Sequence, residues 1–193
     1  MVVKYPKSLK KVDFSLLTTY QKRLKKIKAE LPKWLKAIPE SDAHGSGTYE
    51  KRLWRITSDY VRIRDAYKWK YTVDGKYILD WRETHAGHYI SYTLCNNLFK
   101  FHPMNIHAQG AKSNLLSSAH EGKIYADELV RRYGKGYLKK IDKENQSNKL
   151  YYYSSKGVHD DDVITMIKDR LDDFKELEEM PDYVKRAISL LES

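Results

Sequence analysis

The sequence predicts an α+β fold, with helical segments on either side of a core that contains a β-hairpin. Apolar residues recur at steps of three and four near both ends of the chain, which is the period of one helix face. Between them, Asp74-Gly75 separates two short runs that contain aromatic and β-branched residues, a strong local signal of a hairpin. We expect a basic helical segment over 1–47, the core over 48–145 and a second helical segment over 146–193.

The first segment is predicted to form an amphipathic helix that begins near Asp13 and ends at Pro32. Its apolar stripe consists of Leu17, Tyr20, Leu24, Ile27 and Leu31. Its opposite face is basic and carries Lys22, Arg23, Lys25 and Lys26. Such a face either follows a row of phosphates or is only solvated. Trp34 starts a short second turn, and the polar stretch 40–47 is a linker.

A second amphipathic helix is predicted from Thr48 to Tyr67. Its apolar face consists of Leu53, Ile56, Tyr60, Ile63 and Tyr67. Arginines flank this stripe at Arg52, Arg55, Arg62 and Arg64. The periodicity then weakens over 81–122, where five of the seven histidines lie: His85, His88, His102, His107 and His120. We expect function to concentrate in that region.

The C-terminal part of the chain is predicted to be helical. A helix over 124–133 ends at Gly134, because glycine readily adopts the left-handed conformation that closes a helix. The Tyr- and Ser-rich stretch 148–157 is predicted to be a connection. The next apolar stripe is preceded by Asp160, Asp161 and Asp162. Acids there suit the dipole at a helix N-terminus better than they suit a metal site. Pro181 separates this helix from a last one.

The 193 residues carry a net charge of +10, from 36 Lys and Arg against 26 Asp and Glu. A basic surface favours a polyanionic partner, because each neutralised phosphate releases condensed counterions. Nucleic acid is the leading candidate, and a surface that only maintains solubility is the alternative.

No apolar run is long enough to span a bilayer and no signal peptide is apparent, so we expect a cytoplasmic protein with no membrane partner. Cys95 is the only cysteine, which excludes a disulfide or a thiolate zinc cage within one chain.

Two blocks in the histidine-rich region point to a known family. They are Ala-Gly-His-Tyr at 86–89 and Asn-Ile-His-Ala-Gln at 105–109, followed by Asn114. In their order and spacing these blocks resemble the phage NinG (Rap) recombination-nuclease family. The resemblance covers about 48–141, which includes a helix before the catalytic hairpin and a helix after it.

This resemblance implies a ββα-metal core of the HNH kind and a metal-dependent DNA endonuclease that acts on recombination or branched DNA intermediates. His88 is the expected general base, since the pKa of an imidazole lies near working pH. Asn105 is expected to hold the imidazole of His88 through its side-chain carbonyl, as the middle Asn does in HNH nucleases. The expected cofactor is Mg²⁺ or Mn²⁺, which needs only one or two protein ligands. The candidate ligands are His85, Asn114 and His120.

DNA is the expected partner, and a second copy of the chain and phage recombination proteins are further candidates. The expected DNA-binding residues are Lys22, Arg23, Lys25, Lys26, Arg52, Arg55, Arg62 and Lys112. Two other functions stay open: a catalytically reduced DNA-binding module, and an RNA-binding protein that stacks bases on the tyrosines 151–153, a triplet more typical of a strand. His102 and His107 are interpreted as hydrogen-bonded or solvent-facing rings, and Cys95 as a small buried residue.

The chain departs from the NinG pattern at two pairs of cysteines that the family usually carries. Their expected positions hold Lys70 with Val73 and Gly110 with Ser113. We therefore expect no structural zinc, although such a site contributes folding free energy where it exists. Packing must replace it, and the candidates for filling the space are Trp69, Tyr71 and Trp81.

Overall fold

The computed structural model of this chain describes residues 29, 31–45, 47–95, 98–115, 119–153 and 160–193. It describes the side chains of all of these except 114–115, 119–121 and 148–153. The predicted first helix lies almost entirely outside the described residues, together with its cations Lys22, Arg23, Lys25 and Lys26.

Helices surround a small sheet in the described part of the chain, which confirms the α+β class. The helices are α1 (Lys33–Lys36), α2 (Thr48–Lys68), α3 (Ala111–Leu115), α4 (Ala119–Tyr133), α5 (Tyr137–Tyr153), α6 (Asp160–Phe174) and α7 (Asp182–Leu191). The strands are β1 (His85–His88) and β2 (Ile106–Gln109), and short 3-10 turns form at Trp81–Glu83 and Phe99–Phe101. Among the described residues, no helix is both long enough and apolar enough to cross a membrane.

The long helix α2 organises the core as its periodicity predicts. Leu53, Ile56 and Ile63 recur on one face and are fully buried. They belong to one apolar cluster with Ile167 and Leu171 of α6. Burial of each such side chain contributes about 1.5–3 kcal/mol. Because α2 also lies against both strands, this helix fixes the position of the sheet.

The two strands form one antiparallel pair, in which His88 lies opposite Ile106 and Gly87 lies opposite His107. β2 is buried along its whole length. β1 reaches the surface at its first residue, His85, and is half-buried at its last residue, His88. The sheet therefore has one covered strand and one strand that is accessible from outside.

The Asp74-Gly75 turn forms where the sequence predicts it, but the hairpin around it is short. Gly75 adopts a φ of 81°, a left-handed conformation that costs glycine little. The arms pair only once, at Tyr71 and Tyr77. Lys70, at the start of the first arm, has a φ of 60° and so interrupts the extended run. The sheet of the molecule forms instead between β1 and β2.

Two predicted boundaries of the C-terminal helices are confirmed, although α4 begins at Ala119 rather than at 124. Gly134, with a φ of 90°, ends α4, and Pro181 precedes α7. The prediction of a connection over 148–157 is wrong in its first part, because the backbone of α5 continues to Tyr153. A strand over 151–153 is wrong for the same reason. Once a helix has started, each further residue adds one backbone hydrogen bond, so α5 extends through a segment of mixed composition.

Candidate active site

His88 is the last residue of β1, and a main-chain oxygen holds its imidazole. Nε2 of His88 lies 2.7 Å from the carbonyl oxygen of Lys100, which only accepts, so Nε2 carries the proton. Nδ1 is then the basic nitrogen, and no described residue forms a hydrogen bond with it. The ring stacks on Trp54, with 5.1 Å between centroids. Burial lowers the pKa of His88 to about 4, although the Lys100 hydrogen bond raises it, and the ring is therefore neutral at pH 7.

Asn105 does not hold the imidazole of His88, so that part of the prediction is wrong. Its Oδ1 accepts from the N–H of Ile90 at 2.8 Å, and its Nδ2 donates to the oxygen of Ile90 at 3.0 Å. Nδ2 also lies 3.1 Å from Sγ of Cys95, a half-buried thiol rather than a fully buried one. A buried amide must satisfy both of its polar groups, and the main chain of Ile90 offers a donor and an acceptor together. The oxygen that orients the ring of His88 belongs to Lys100.

A cleft of about 220 Å³ opens beside β1. Its lining includes His44, Trp54, Arg55, Asp59, Arg62 and His85. Side chains alternate along a strand, so His85 and His88 leave β1 on opposite faces. Trp54 connects the two places, because it lines the cleft and stacks on His88. The strand does not bring the predicted base and the predicted ligand side by side.

His44 is a residue of this site that the sequence does not predict. It lies in the loop before α2, and its ring stacks on Tyr92 with 4.3 Å between centroids. It also meets Trp54 edge-on at 4.5 Å and His88 edge-on at 5.6 Å. Burial, and then the charge of Lys100, lowers the pKa of His44. The only signal in the sequence is a histidine within the polar stretch before α2, and such a stretch is typical of a linker.

Asp59 organises the floor of the cleft. Its buried carboxylate accepts a hydrogen bond from Arg62, lies 3.2 Å from Nε of Arg55 and accepts from the hydroxyl of Tyr183 at 2.7 Å. Arg62 donates further to the main-chain oxygens of Ser58 and Thr84. The hydrogen bonds of Arg62 therefore all go to groups inside the fold. The side chain of Arg55, in contrast, is 43% exposed at the cleft.

His107 is fully buried and hydrogen-bonded, so of the two interpretations the hydrogen-bonded ring is confirmed and the solvent-facing ring is wrong. Its Nδ1 lies 2.9 Å from Nη2 of Arg64, and its Nε2 lies 3.3 Å from the oxygen of Met104. Burial lowers the pKa of His107 despite the nearby carboxylate of Asp65. His107 is buried because β2 is covered along its whole length. His102 has the predicted hydrogen-bonded ring, because its Nδ1 accepts from the N–H of Met104 at 3.2 Å.

Asp65 is the centre of a buried ionic network behind β2. Its carboxylate accepts from Nε of Arg64 and from the N–H of Ala108, each at 2.8 Å. It also lies 3.4 Å from Nη1 of Arg132 in α4. Burial alone would raise the pKa of Asp65, but Arg64 and then His107 hold that pKa well below its usual range. The network joins α2, β2 and α4.

The predicted DNA-binding cations within the described residues have different surroundings. Arg52 is buried, donates from Nε to the oxygen of Leu35 at 3.0 Å and lies 2.7 Å from Glu40. It therefore ties α1 to α2 inside the fold. Arg55 lies at the cleft, and Lys112 is exposed on α3.

A family model described as "NinG: Bacteriophage Lambda NinG protein" matches residues 3–178. The chain belongs to the NinG family. NinG is a bacteriophage family related to recombination, which agrees with the resemblance of the two sequence blocks. A search of curated proteins and a search of solved structures each returned no match.

Gly110 and Ser113, two of the four positions where the resemblance implies cysteines, are held by a carboxylate clamp. Asp74 accepts from the N–H of Gly110 at 2.9 Å and from the hydroxyl of Ser113 at 2.6 Å, and it lies 3.2 Å from Nζ of Lys76. Burial would raise the pKa of Asp74, but these contacts lower it to about 2. A Cβ atom at Gly110 would overlap Lys76 and lie 2.7 Å from Asp74. The clamp therefore occupies space that a cysteine side chain would need.

The aromatic residues predicted to fill the place of a zinc site are only in part interior. Trp81 is buried in the main core. Trp69 is half-buried and meets Tyr133 with 5.4 Å between ring centroids. Tyr71 is 45% exposed, so its predicted role as a filler is wrong. Hydrogen bonds from Gly110 and Ser113 to Asp74 join the two segments.

The three predicted metal ligands in this NinG chain are not all described. His85 is exposed at the cleft, whereas the side chains of Asn114 and His120 lie outside the described residues. Within the described part of the chain, no group of three or more His, Cys, Asp or Glu side chains could hold a metal ion.

Proposed function

We propose that this NinG chain is a metal-dependent DNA endonuclease with a ββα-metal core, acting on recombination or branched DNA intermediates. The observation that carries the proposal is the state of His88. Its imidazole is anchored through Nε2 to Lys100, and Nδ1 remains available as a base. A general base needs an unprotonated nitrogen in a fixed orientation at working pH. The adjacent cleft adds the positive charge of Arg55 that a polyanionic substrate requires.

The proposed ββα core consists of β1, β2 and the helices that follow. α3, which carries Asn114, packs against β1. α4, which carries His120, is joined to β1 by a hydrogen bond from the hydroxyl of Tyr125 to the oxygen of Gly87 at 2.8 Å. Mg²⁺ and Mn²⁺ keep several waters, so one or two of the expected ligands His85, Asn114 and His120 would be enough to hold such an ion. Such an ion supplies positive charge at the scissile phosphate when it is bound.

In the proposed reaction, Nδ1 of His88 takes a proton from the attacking water. A pKa of about 4 keeps the ring unprotonated, but it also makes the imidazole a weak base before DNA binds. The negative charge of a nearby phosphate raises an imidazole pKa. Bound DNA therefore moves His88 toward the range in which proton transfer is efficient. The carbonyl of Lys100 stabilises the imidazolium that forms.

A DNA-binding module with reduced catalysis is the second candidate. It is favoured by the missing cysteine pairs that the resemblance implies, since two of their expected positions hold Gly110 and Ser113, which donate instead to Asp74. DNA is the proposed partner under both functions, and a second copy of the chain and phage recombination proteins are further proposed partners.

A nicking assay separates the two candidates. Supercoiled plasmid and four-way junction DNA are incubated with the protein in Mg²⁺, in Mn²⁺ or in EDTA. The endonuclease proposal predicts nicking with at least one of the metals and none in EDTA. His88→Ala, purified in the same way, controls for contaminating nuclease. DNA that is retained in a gel-shift experiment but is cut under none of these conditions would leave the binding module as the function.

A further inference from the structure

The cleft beside β1 has the chemistry of an anion site. The side chain of Arg55 is 43% exposed there, yet its buried Nε has no hydrogen-bond partner among the described residues. Nε lies 3.2 Å from Asp59 without the alignment that a hydrogen bond needs. His44 and His85 line the same cleft, and each imidazole has a ring nitrogen able to donate a hydrogen. Donors of this kind, with a guanidinium among them, suit the oxygens of a phosphate.

The carboxylate of Asp59 does not cancel the positive charge of the cleft. Arg55 and Arg62 bring two guanidinium groups to one carboxylate, and the hydroxyl of Tyr183 also donates to it at 2.7 Å. Asp59 is buried beneath these partners. The cluster of Arg55, Arg62 and Asp59 therefore carries a net positive charge, and its exposed guanidinium is that of Arg55.

The cleft is also next to the proposed base. Trp54 lines the cleft and stacks on His88 at 5.1 Å, and His44 meets His88 edge-on at 5.6 Å. A group held in the cleft would therefore lie beside two rings, Trp54 and His44, that both contact His88. That proximity suits a phosphate of the strand being cut, or one beside it, because successive phosphates follow one another along a strand.

We propose that Arg55, His44 and His85 bind a backbone phosphate of DNA in this cleft. The proposal rests on DNA as the substrate class of the proposed function. It assigns a binding role to His44, which lies outside the two NinG sequence blocks. It also makes Arg55 the arginine of α2 that meets DNA, since Arg52 and Arg62 are engaged within the fold.

The first test uses the wild-type protein and inorganic phosphate. Histidine side-chain resonances are followed by NMR as phosphate replaces chloride at constant ionic strength and pH, with EDTA present. His44 and His85 should shift along a saturable curve, and His102, a hydrogen-bonded ring outside the cleft, should not. Equal drifts of all three rings, or no shift at His44 and His85, would overturn the phosphate site.

The second test compares Arg55→Gln with a matched control. Arg131 is also an exposed arginine that is paired with an acid of its own helix, but it lies on α4 away from the cleft. In EDTA, Arg55→Gln should weaken binding of duplex DNA about tenfold and reduce the salt slope by about one, as expected for one lost phosphate contact. Arg131→Gln should stay within about twofold of wild type. His44→Gln, a change in a loop, should reproduce a smaller part of the loss.

Thermal unfolding of each variant shows whether it is folded at the temperature of the binding experiment. If Arg55→Gln does not fold, His44→Gln and the phosphate titration still decide. DNA bound through the cleft without any metal-dependent cutting would refute the endonuclease and leave the phosphate site standing. In the opposite outcome, the wild type cuts DNA in a metal-dependent way while Arg55→Gln and His44→Gln bind DNA as well as Arg131→Gln does. That result would refute the phosphate site and leave the endonuclease standing.

Discussion

His88 of β1 and His107 of β2 lie one step apart in the register, and the two rings have opposite surroundings. His107, opposite Gly87, is fully buried and has polar partners at both nitrogens, Arg64 and Met104. His88 is half-buried and has a hydrogen bond only at Nε2 within the described residues. The same side chain is therefore a structural element in β2 and a candidate base in β1.

The difference comes from what covers each strand. α2 places Arg64 and Asp65 against β2, where Arg64 donates to the oxygen of Ile106 and Asp65 accepts from the N–H of Ala108. The outer side of β1 meets instead the ring of Trp54 and the loop that carries His44. Aromatic neighbours bury an imidazole without offering hydrogen bonds to its nitrogens, so one nitrogen of His88 can still accept a proton. The hydrogen-bond partners around each ring, rather than the residue type, therefore decide which histidine of this sheet is structural and which is a candidate base.

The largest expected effect is on the β1 side. His88→Ala should reduce metal-dependent DNA cleavage by about 10²- to 10⁴-fold, because that is the usual contribution of a general base. DNA affinity should change little, since phosphate contacts supply it. The measurement is the rate of plasmid nicking, with binding followed separately in EDTA.

His102→Ala is the matched control for that change. Burial lowers the pKa of His102 to about 4 as well, but its ring nitrogen accepts a main-chain hydrogen bond. We expect it to keep most of the cleavage rate of the folded protein. Similar modest losses in both variants would show that β1 does not carry the base.

The next effect tests the β2 side. Asp65→Asn should lower the free energy of unfolding by about 3–5 kcal/mol, because Arg64 and Arg132 would keep buried positive charges without a carboxylate. Urea denaturation at pH 7 measures the change. Asp80→Asn, at a carboxylate that is 43% exposed, is the control and should change it by under about 0.5 kcal/mol. Equal small effects would mean that the network around His107 is not structural.

A smaller effect is expected at the clamp beside the end of β2. Asp74→Ala removes the acceptor of Gly110 and Ser113 and should cost about 1–3 kcal/mol of unfolding free energy. Because the pKa of Asp74 is about 2 in the folded protein, below its ordinary value, this stability is present above about pH 4 and is lost as pH falls toward 2. Urea denaturation between pH 7 and pH 3 should show wild type losing stability toward acid and Asp74→Ala losing less. Parallel pH curves would contradict the role of the clamp.

No effect is expected from chelation. Because the clamp and not a thiolate site joins the segments around Val73 and Gly110, dialysis against EDTA should leave the melting temperature unchanged. Differential scanning calorimetry before and after dialysis checks this. A fall of many degrees that zinc reverses would reveal a histidine-based structural site.

Local patterns in the sequence predict the helices well and the site only in part. The stripe of Leu53, Ile56 and Ile63 specifies α2, because an apolar face has one way to be buried. Gly134 and Pro181 mark helix boundaries through backbone geometry that acts within a few residues. These features depend on residues that are close in the sequence and can therefore be predicted without a structure.

The parts that escaped prediction depend on contacts between distant segments. Lys100 orients His88 with a main-chain oxygen, which no residue type reveals. His44 joins the site from a loop 44 positions before His88, with no periodicity to mark it. His107 follows Ile106 on a strand, but the sequence does not show that both faces of that strand are covered. Burial of a two-stranded sheet is decided by the helices that pack on it.

The tautomer and protonation of His88 test the contrast between the two strands most directly. Long-range ¹H–¹⁵N NMR of the histidine side chains in the intact protein, followed from pH 8 to pH 4, reports both. We predict that His88 carries its proton on Nε2 and leaves Nδ1 bare at pH 7, with a midpoint near its pKa of about 4. A proton on Nδ1 at pH 7, or a midpoint at about 6.5 as in a solvated imidazole, would contradict the account.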